Sequence, residues 1–534
     1  MTAKAAVATR LPLPSGPFAV VENFAIVALP VVSWLWLCAE RPSQLGFYSD
    51  DWMLLLHPFV GSASAFRDIL KFAATRPASA PYIWIAQVLT DWSPARAQIL
   101  NSVMLGFTAY AVGCLSFRLA TIAGSPRQAA LAACCLAATM FICFPSNIGT
   151  FCWGSGVIAV VPATPFFCFG MVLLLSESRR TAPPICGFAL LAISHLSYEA
   201  FYFQEITIII AALILGKTKI DSKTTGLLLI AIALNLSCIA FNRLTLTGVQ
   251  KSFNVDWFNI FCDGYANLSA AFLHSVREHA RWIVFNLLGT ALFGSLCLSS
   301  LIGMPRVLVL WLALGCGTAA AGVLYSLAGY GLAFEGPAAR VAIVIAVYSS
   351  IAIGLLSTGA WNAMRLRRPS GFIAILLTLG LLVNLNLTSK LRLSEWAATW
   401  QFEKARLARL PVEFQFRQND TRVFLALEDH ESTFIMPATA PWEIFGAVAW
   451  AVYVRSPAHD RSMMVDIWEN TNLGVRWFAT PPGWFNRWNG KSFAQGPCGT
   501  EGTVYESAGS EFWIWHSSES KFERQVNSWN SGCE

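Results

Sequence analysis

From Phe18 onward the chain alternates runs of about twenty apolar residues with short polar segments. A helix needs about 20 apolar residues to cross a hydrocarbon core. The pattern predicts such helices over 18–38, 97–117, 129–145, 156–175, 184–198, 200–216, 225–242, 282–302, 306–326, 340–361 and 371–389, about eleven spans in all. The short pair 184–198 and 200–216 closes a tight hairpin around HLSYEAFYFQE. Two longer connections, 39–96 and 243–281, hold their own amphipathic stretches. In SAFRDILKFAATRP, Phe66, Ile69, Leu70 and Ala73 share one helical face, opposite Arg67, Asp68 and Lys71. Residues 265–282 repeat that spacing through Leu268, Phe272, Val276 and His279. Both read as helices lying in a membrane interface or covering span ends.

After Lys390 the pattern changes. Residues 391–410 read as a charged helix, followed by short apolar or alternating runs such as TRVFLALED, IFGAVAWAVYVRS, RSMMVDIWEN and TVYESAGSEFWIWHSS. Gly, Pro and Asn punctuate them, which predicts a mainly β soluble domain. The chain thus divides into a transmembrane part, 1–390, and a Trp-rich domain, 391–534. Trp442, Trp450, Trp468, Trp477, Trp484, Trp488, Trp513, Trp515 and Trp529 crowd the latter. Core packing accounts for most of them. The Trp477–Trp488 stretch also offers indole faces on which sugar rings stack.

Composition supports the membrane assignment. The chain is 55% hydrophobic and 13% charged, with mean hydropathy +0.53; a soluble domain carries roughly 25% charged residues. The net charge of +6 lies in short basic clusters between apolar runs, which argues for topology and against nucleic acid. Lys4 and Arg10, Arg118 and Arg127, Arg179 and Arg180, Lys217 to Lys223, Arg306, and Arg365 to Arg368 all fall in one alternate set of connections. The positive-inside rule puts that set in the cytoplasm. The larger connections and the C-terminal domain then lie outside, which in a bacterial inner (plasma) membrane is the periplasmic side. No small-residue cleavage site ends the first apolar run, so it reads as a retained helix. Most of the fourteen cysteines fall in spans as small apolar residues. Cys498 and Cys533 are the pair in the outer domain, where disulfides are permitted. Walker A, dinucleotide, zinc and HExxH patterns are absent.

The first outer connection opens with FYSDDW. Asp50 and Asp51 sit between aromatics where the first span ends. Ser49 or Asp50 suits a helix N-cap. A helix start also points adjacent residues about 100° apart, so one carboxylate can cap while the other faces a cleft. Arg76 in the same connection and Arg340 at the start of the tenth span could snorkel, or could bind a lipid phosphate through charge-assisted hydrogen bonds. His195, Tyr198 and Glu199 cluster at the outer end of the fifth span, with Glu205 further along. Ionisable groups at such depth are costly and point to function. Buried hydrogen bonding is the alternative for His195. A role as partner to an arginine suits Glu199.

An amino-terminal span, an outer YSDDW, then RP, a SYE hairpin and an arginine opening a late span resemble the GT-C superfamily of integral membrane glycosyltransferases. The similarity is greatest to bacterial glucosyl- and arabinosyltransferase-like members and covers about 18–390. It implies an α-helical polytopic fold and a polyprenyl-phosphate sugar donor. It also implies an acidic base in the first outer loop, which is Asp50 or Asp51 here. The expected partners are that donor, a glycan or glycolipid acceptor, and membrane lipid. The resemblance fixes no cofactor; a divalent cation, Mg or Mn, held by one carboxylate could share in stabilising the departing phosphate. A lipid-linked glycan polymerase or ligase would use a similar outer site with a lipid pyrophosphate leaving group. A transporter or flippase would instead keep its charges near mid-membrane, and the charges here lean outward. A non-catalytic scaffold with a Trp-rich sensor domain is a further alternative.

Overall fold

The computed structural model describes residues 17–48, 51, 55, 61–74, 76–152, 160, 162–176, 182–215, 222–245, 256, 258–263, 305–327, 342–365, 369–409, 423–427, 447, 450–451, 454, 476–479, 484–506, 511–516 and 521–531. These residues are mostly helical, with short strands confined to the C-terminal part. The helices are α1 (Pro17–Cys38), α2 (Arg41–Gln44), α3 (Ala63–Phe72), α4 (Ala80–Thr90), α5 (Pro94–Ile122), α6 (Arg127–Ile142), α7 (Pro145–Cys152) and α8 (Ala163–Leu174). They continue as α9 (Ala182–Ser197), α10 (Gln204–Ile214), α11 (Ser222–Thr245), α12 (Pro305–Leu327), α13 (Ile343–Arg365) and α14 (Pro369–Ala408).

Among the described residues, two helices are long and apolar enough to cross a membrane, α5 and α12. A third span results if α6 and α7, bent by 68° across Cys143–Pro145, are counted as one. Helices also fall in the other predicted spans except 282–302, which lies outside the described residues, as does the amphipathic stretch 265–282. Several of these helices are shorter than a full crossing; α8 has 12 residues and α9 has 16. The span predicted at 371–389 and the charged helix at 391–410 are one continuous helix, α14, because no Gly or Pro intervenes between Gly380 and Ala408. In α3 the predicted apolar face is only partly covered. Ile69 and Ala73 are buried, whereas Leu70 is exposed.

The core is built on α6, whose sequence RQAALAACCLAATMFI is rich in alanine. Small side chains let α5 and α13 approach its backbone closely. A Cβ added at Gly113 of α5 would meet the Cys134 carbonyl at 2.9 Å, and one at Gly354 of α13 would meet the Ala133 carbonyl at 2.6 Å. Polar ties fix the outer helices. Trp34 of α1 donates to the Ser102 carbonyl of α5 at 2.7 Å, and Ser389 of α14 donates to the Cys143 carbonyl at 2.8 Å. Glu40, just after α1, pairs with Lys390 of α14 at 2.7 Å.

The C-terminal strands form two four-stranded sheets. The strands are β1 (Val423–Leu427), β2 (Arg476–Ala479), β3 (Trp484–Trp488), β4 (Ser492–Pro497), β5 (Thr503–Glu506), β6 (Glu511–His516), β7 (Lys521–Gln525) and β8 (Trp529–Ser531). One sheet runs β2-β1-β6-β7, with β1 parallel to both neighbours; the other runs β5-β4-β3-β8 and is antiparallel throughout. Trp488 of β3 stacks on Phe512 of β6, with centroids 5.4 Å apart, and joins the two sheets. Trp488 is buried, so packing rather than sugar stacking is its role. The β3–β4 turn closes through Asn489, whose side-chain oxygen accepts from the amides of Lys491 and Ser492. The run 444–456 departs from the strand expectation: its described positions, Ala447, Trp450, Ala451 and Val454, are helical. Cys498 is disulfide-bonded, and Cys533 lies outside the described residues.

Candidate functional site

The acidic connection is anchored on several sides before it reaches its carboxylates. Arg41 is fully buried, and its guanidinium donates to the Leu37 and Phe151 carbonyls. The buried amide of Gln98, in α5, donates to the carbonyls of Gly46 and Cys152, both at 2.8 Å. The Tyr48 hydroxyl donates to the Trp396 carbonyl of α14 at 2.9 Å. Its ring meets the Trp396 ring edge-on at 4.7 Å, with Trp400 one turn further along. Burial pushes the Tyr48 phenol well above its ordinary pKa, so it stays a neutral hydrogen-bonding group.

Asp51 is 1% exposed, and its Oδ2 accepts from the Tyr48 amide at 3.1 Å. The Asp51 amide in turn donates to the Tyr48 carbonyl at 3.0 Å, and the Leu55 amide donates to the Asp51 carbonyl at 2.9 Å. A side chain that reaches back three residues to the first amide of a helix makes one half of a capping box. Asp51 therefore caps the Tyr48 amide from three residues ahead. Asp50 lies outside the described residues, as does Arg340.

Arg76 precedes a 3-10 turn, Pro77–Ser79, that packs against the end of α9; Ser79 donates there to the Ser197 carbonyl at 3.2 Å. Its Nε and Nη2 bond both oxygens of Glu199, at 2.9 and 2.5 Å. The guanidinium also lies 5.1 Å from the Tyr198 ring centroid. Burial alone would lower the Arg76 pKa, but the Glu199 carboxylate outweighs it and holds the group above its ordinary range. The side chains of both partners remain about a third exposed, 34% and 37%. The Arg76 Nη1 makes no hydrogen bond among the described residues, so one edge of the guanidinium faces outward with N–H groups to offer.

His195 and Tyr198 belong to different surroundings. Tyr198 is buried beneath Arg76, with Tyr325 of α12 beyond it at 6.4 Å. His195 points the other way. Its Nε2 lies 3.3 Å from Glu205 Oε1, and Asn235 of α11 donates to that same oxygen. The structure thus joins Arg76, Tyr198 and Glu199 in one group and His195 with Glu205 in a second, while Asp51 braces the acidic connection.

Sequence reading passed over Gln98, Trp396, Trp400 and Asn235. A lone Asn in LIAIALNLSCIAF and a Gln opening a span were visible signals, since amides inside apolar helices seek partners. The two tryptophans gave none, because their contact with Tyr48 joins residues about 350 positions apart. Among the described residues, no three His, Cys, Asp or Glu side chains gather as a metal site would require, and no step is assigned to a metal. Comparison with models of known protein families, with curated proteins and with solved structures finds no match to this chain.

Proposed function

We propose that this protein is an integral membrane glycosyltransferase of GT-C type, with about eleven spans. It would move a sugar from a polyprenyl-phosphate donor to a glycan or glycolipid acceptor at the outer, periplasmic face of a bacterial inner membrane. The observation that carries the reading is the construction of the acidic connection. Buried Gln98 of α5 bonds the Gly46 carbonyl, buried Tyr48 ties the connection to α14, buried Arg41 of α2 anchors the chain just before it, and its second carboxylate caps the Tyr48 amide. A surface ornament would not need so much fixed polar structure; a catalytic group held to fractions of an ångström would.

In this reading Asp51 positions and Asp50 reacts. Adjacent helical residues point about 100° apart, so with Asp51 on the capping task the catalytic role falls to Asp50. Asp50 removes the proton from an acceptor hydroxyl as its oxygen attacks the anomeric carbon, a general-base contribution of about 10²–10⁴-fold. The bond from that carbon to the lipid phosphate oxygen breaks, and the phosphate leaves with the electron pair. Single displacement inverts the anomeric configuration. Arg76, through its outward edge, and Arg340 stabilise the charge gathering on the phosphate. Glu199 keeps the Arg76 fork oriented, with Tyr198 supporting it from below.

Purified protein in nanodiscs, supplied with polyprenyl-monophosphate sugars and, separately, with an oligosaccharide on a lipid pyrophosphate, tests the reading. Transfer of a single sugar from the monophosphate donor, with inversion, is the expected result. Transfer only from the pyrophosphate would make the protein a polymerase or ligase. Silence with both donors across a panel of sugars would refute the assignment.

A further inference from the structure

The turn that presents Glu199 and Tyr198 to Arg76 is closed by a second, fully buried polar group. Between the end of α9 at Ser197 and the start of α10 at Gln204 lie six residues, Tyr198 to Phe203. The last of them, Phe203, has a left-handed backbone, φ 64°. That conformation is disfavoured for a non-glycine residue, so something must hold it. Its amide donates to Asn235 Oδ1 at 2.7 Å. The Asn235 amide nitrogen donates to Glu205 Oε1 and to the Ala231 carbonyl. Glu205 Oε1 reaches His195 on α9, and the His195 ring meets Tyr202 edge-on at 5.6 Å. Tyr348 of α13 donates to the Gln204 carbonyl at 3.0 Å. The chain of bonds therefore runs from α9 through α10 to α11 and back to the turn.

His195, Glu205 and Asn235 are all at most 1% exposed. His195 Nδ1 and Glu205 Oε2 have no hydrogen-bond partner among the described residues. Each buried polar atom left so costs stability, because its lost hydration is not replaced. An apolar trio would pack the same helices without that cost, so stability is a poor reason for this one. Its geometry has a clearer use: Asn235 bonds the Phe203 amide, His195 packs on Tyr202, and Glu205 links the two, so the cluster braces the turn that carries Glu199.

We propose that His195, Glu205 and Asn235 are positioning residues for the donor-phosphate group. By holding Phe203 left-handed, they set the turn that keeps Glu199 and Tyr198 on Arg76. The proposal rests on reading Arg76 as a ligand of the donor phosphate. It predicts that damage to the cluster weakens donor binding and, because Arg76 also stabilises the departing phosphate, slows the chemical step with it.

The test uses full-length protein in nanodiscs, with Asn235→Leu, Asn235→Ala should leucine not fold, and Asn235→Leu combined with Phe203→Gly. Hydrogen exchange of the peptide covering 198–204 reads the turn without reference to activity, and polyprenyl phosphate is the binding probe. Asn235→Leu should speed exchange in that peptide about tenfold or more, as the Phe203 amide loses its partner. It should weaken polyprenyl-phosphate binding about tenfold and lower kcat at saturating donor by a similar factor. Phe203→Gly should restore most of the affinity, because glycine holds a left-handed φ without help. Unchanged exchange, or faster exchange with unchanged affinity, would overturn the proposal; so would a fall in kcat alone. If the wild type does not bind polyprenyl phosphate, the donor-site reading fails, and unchanged exchange in Asn235→Leu would separately show that the cluster does not hold the turn.

Discussion

Replacing Gly46 by alanine probes whether the acidic connection is as tightly built as its contacts imply. The added Cβ would meet Cδ2, Cε3 and Cε2 of Trp400 at well under 3.0 Å. That ring cannot swing aside, since Trp400 is 4% exposed and lies edge-on to both Tyr48 and Trp450. The backbone of the connection must therefore move. Forcing a methyl into such packing costs about 1–3 kcal/mol. Displacing Gly46 also weakens the bond from Gln98 to its carbonyl, worth about 0.5–1.5 kcal/mol. The combined loss is about 2–4 kcal/mol, read as a lower melting temperature in detergent. Turnover should fall further than stability implies, because a shift of about 1 Å at a reacting group costs on the order of 10²-fold. Gly315→Ala supplies the control. Its Cβ meets nothing within 4 Å, and alanine is the better helix former by about 1 kcal/mol, so it should be neutral or mildly stabilising. A Gly46→Ala protein that melts and turns over like the wild type would refute the reasoning.

A double-mutant cycle on Arg76 and Glu199, with Arg76→Ala and Glu199→Ala, should give a coupling of about 1 kcal/mol in melting experiments, kept small by solvent screening. Arg76→Lys should lose most of it, since an ammonium cannot form the two-pronged bond. Glu40 responds to pH in a defined direction. The hydrogen bond from Lys390, followed by its charge, holds the carboxyl below the usual carboxylate range. Its contribution is therefore present above the unfolded pKa and is lost as pH falls through the lower folded value. Melting curves across the acid range should lose this component in Lys390→Ala, and unaltered pH dependence in that variant would contradict the assignment. Asn489→Ala removes the acceptor for two turn amides and should destabilise the β3–β4 hairpin by about 1 kcal/mol, read as faster exchange in 486–495.

What the chain declares locally and what it settles over distance divide along physical lines. Apolar runs mark where helices form because burial or lipid contact acts on each run by itself. The change from apolar to charged residues near Lys390 suggested a break inside α14, yet nothing after Gly380 stops a helix before its end. The cap at Asp51 was harder, because it acts backward onto Tyr48, whereas the sequence suited Ser49 or Asp50 to capping. Trp400 could not be assigned from its neighbours. Its task is set by a glycine in another connection, and the chain gives no periodic hint of that pairing. The same holds for His195, Glu205 and Asn235, where residues ten and thirty positions apart share one carboxylate oxygen. Arg76 and Glu199, separated by 123 positions, meet because two turns pack at the end of α9.

The division of labour between the adjacent carboxylates is the central claim, and transfer assays on two isosteric variants test it. Asp50→Asn should lower transfer from a polyprenyl-monophosphate sugar by about 10²–10⁴-fold with donor binding intact. Asp51→Asn keeps an oxygen for the Tyr48 amide and should retain turnover within about tenfold, with a modest loss of stability. Wild-type turnover in Asp50→Asn would contradict the account, whatever Asp51→Asn does.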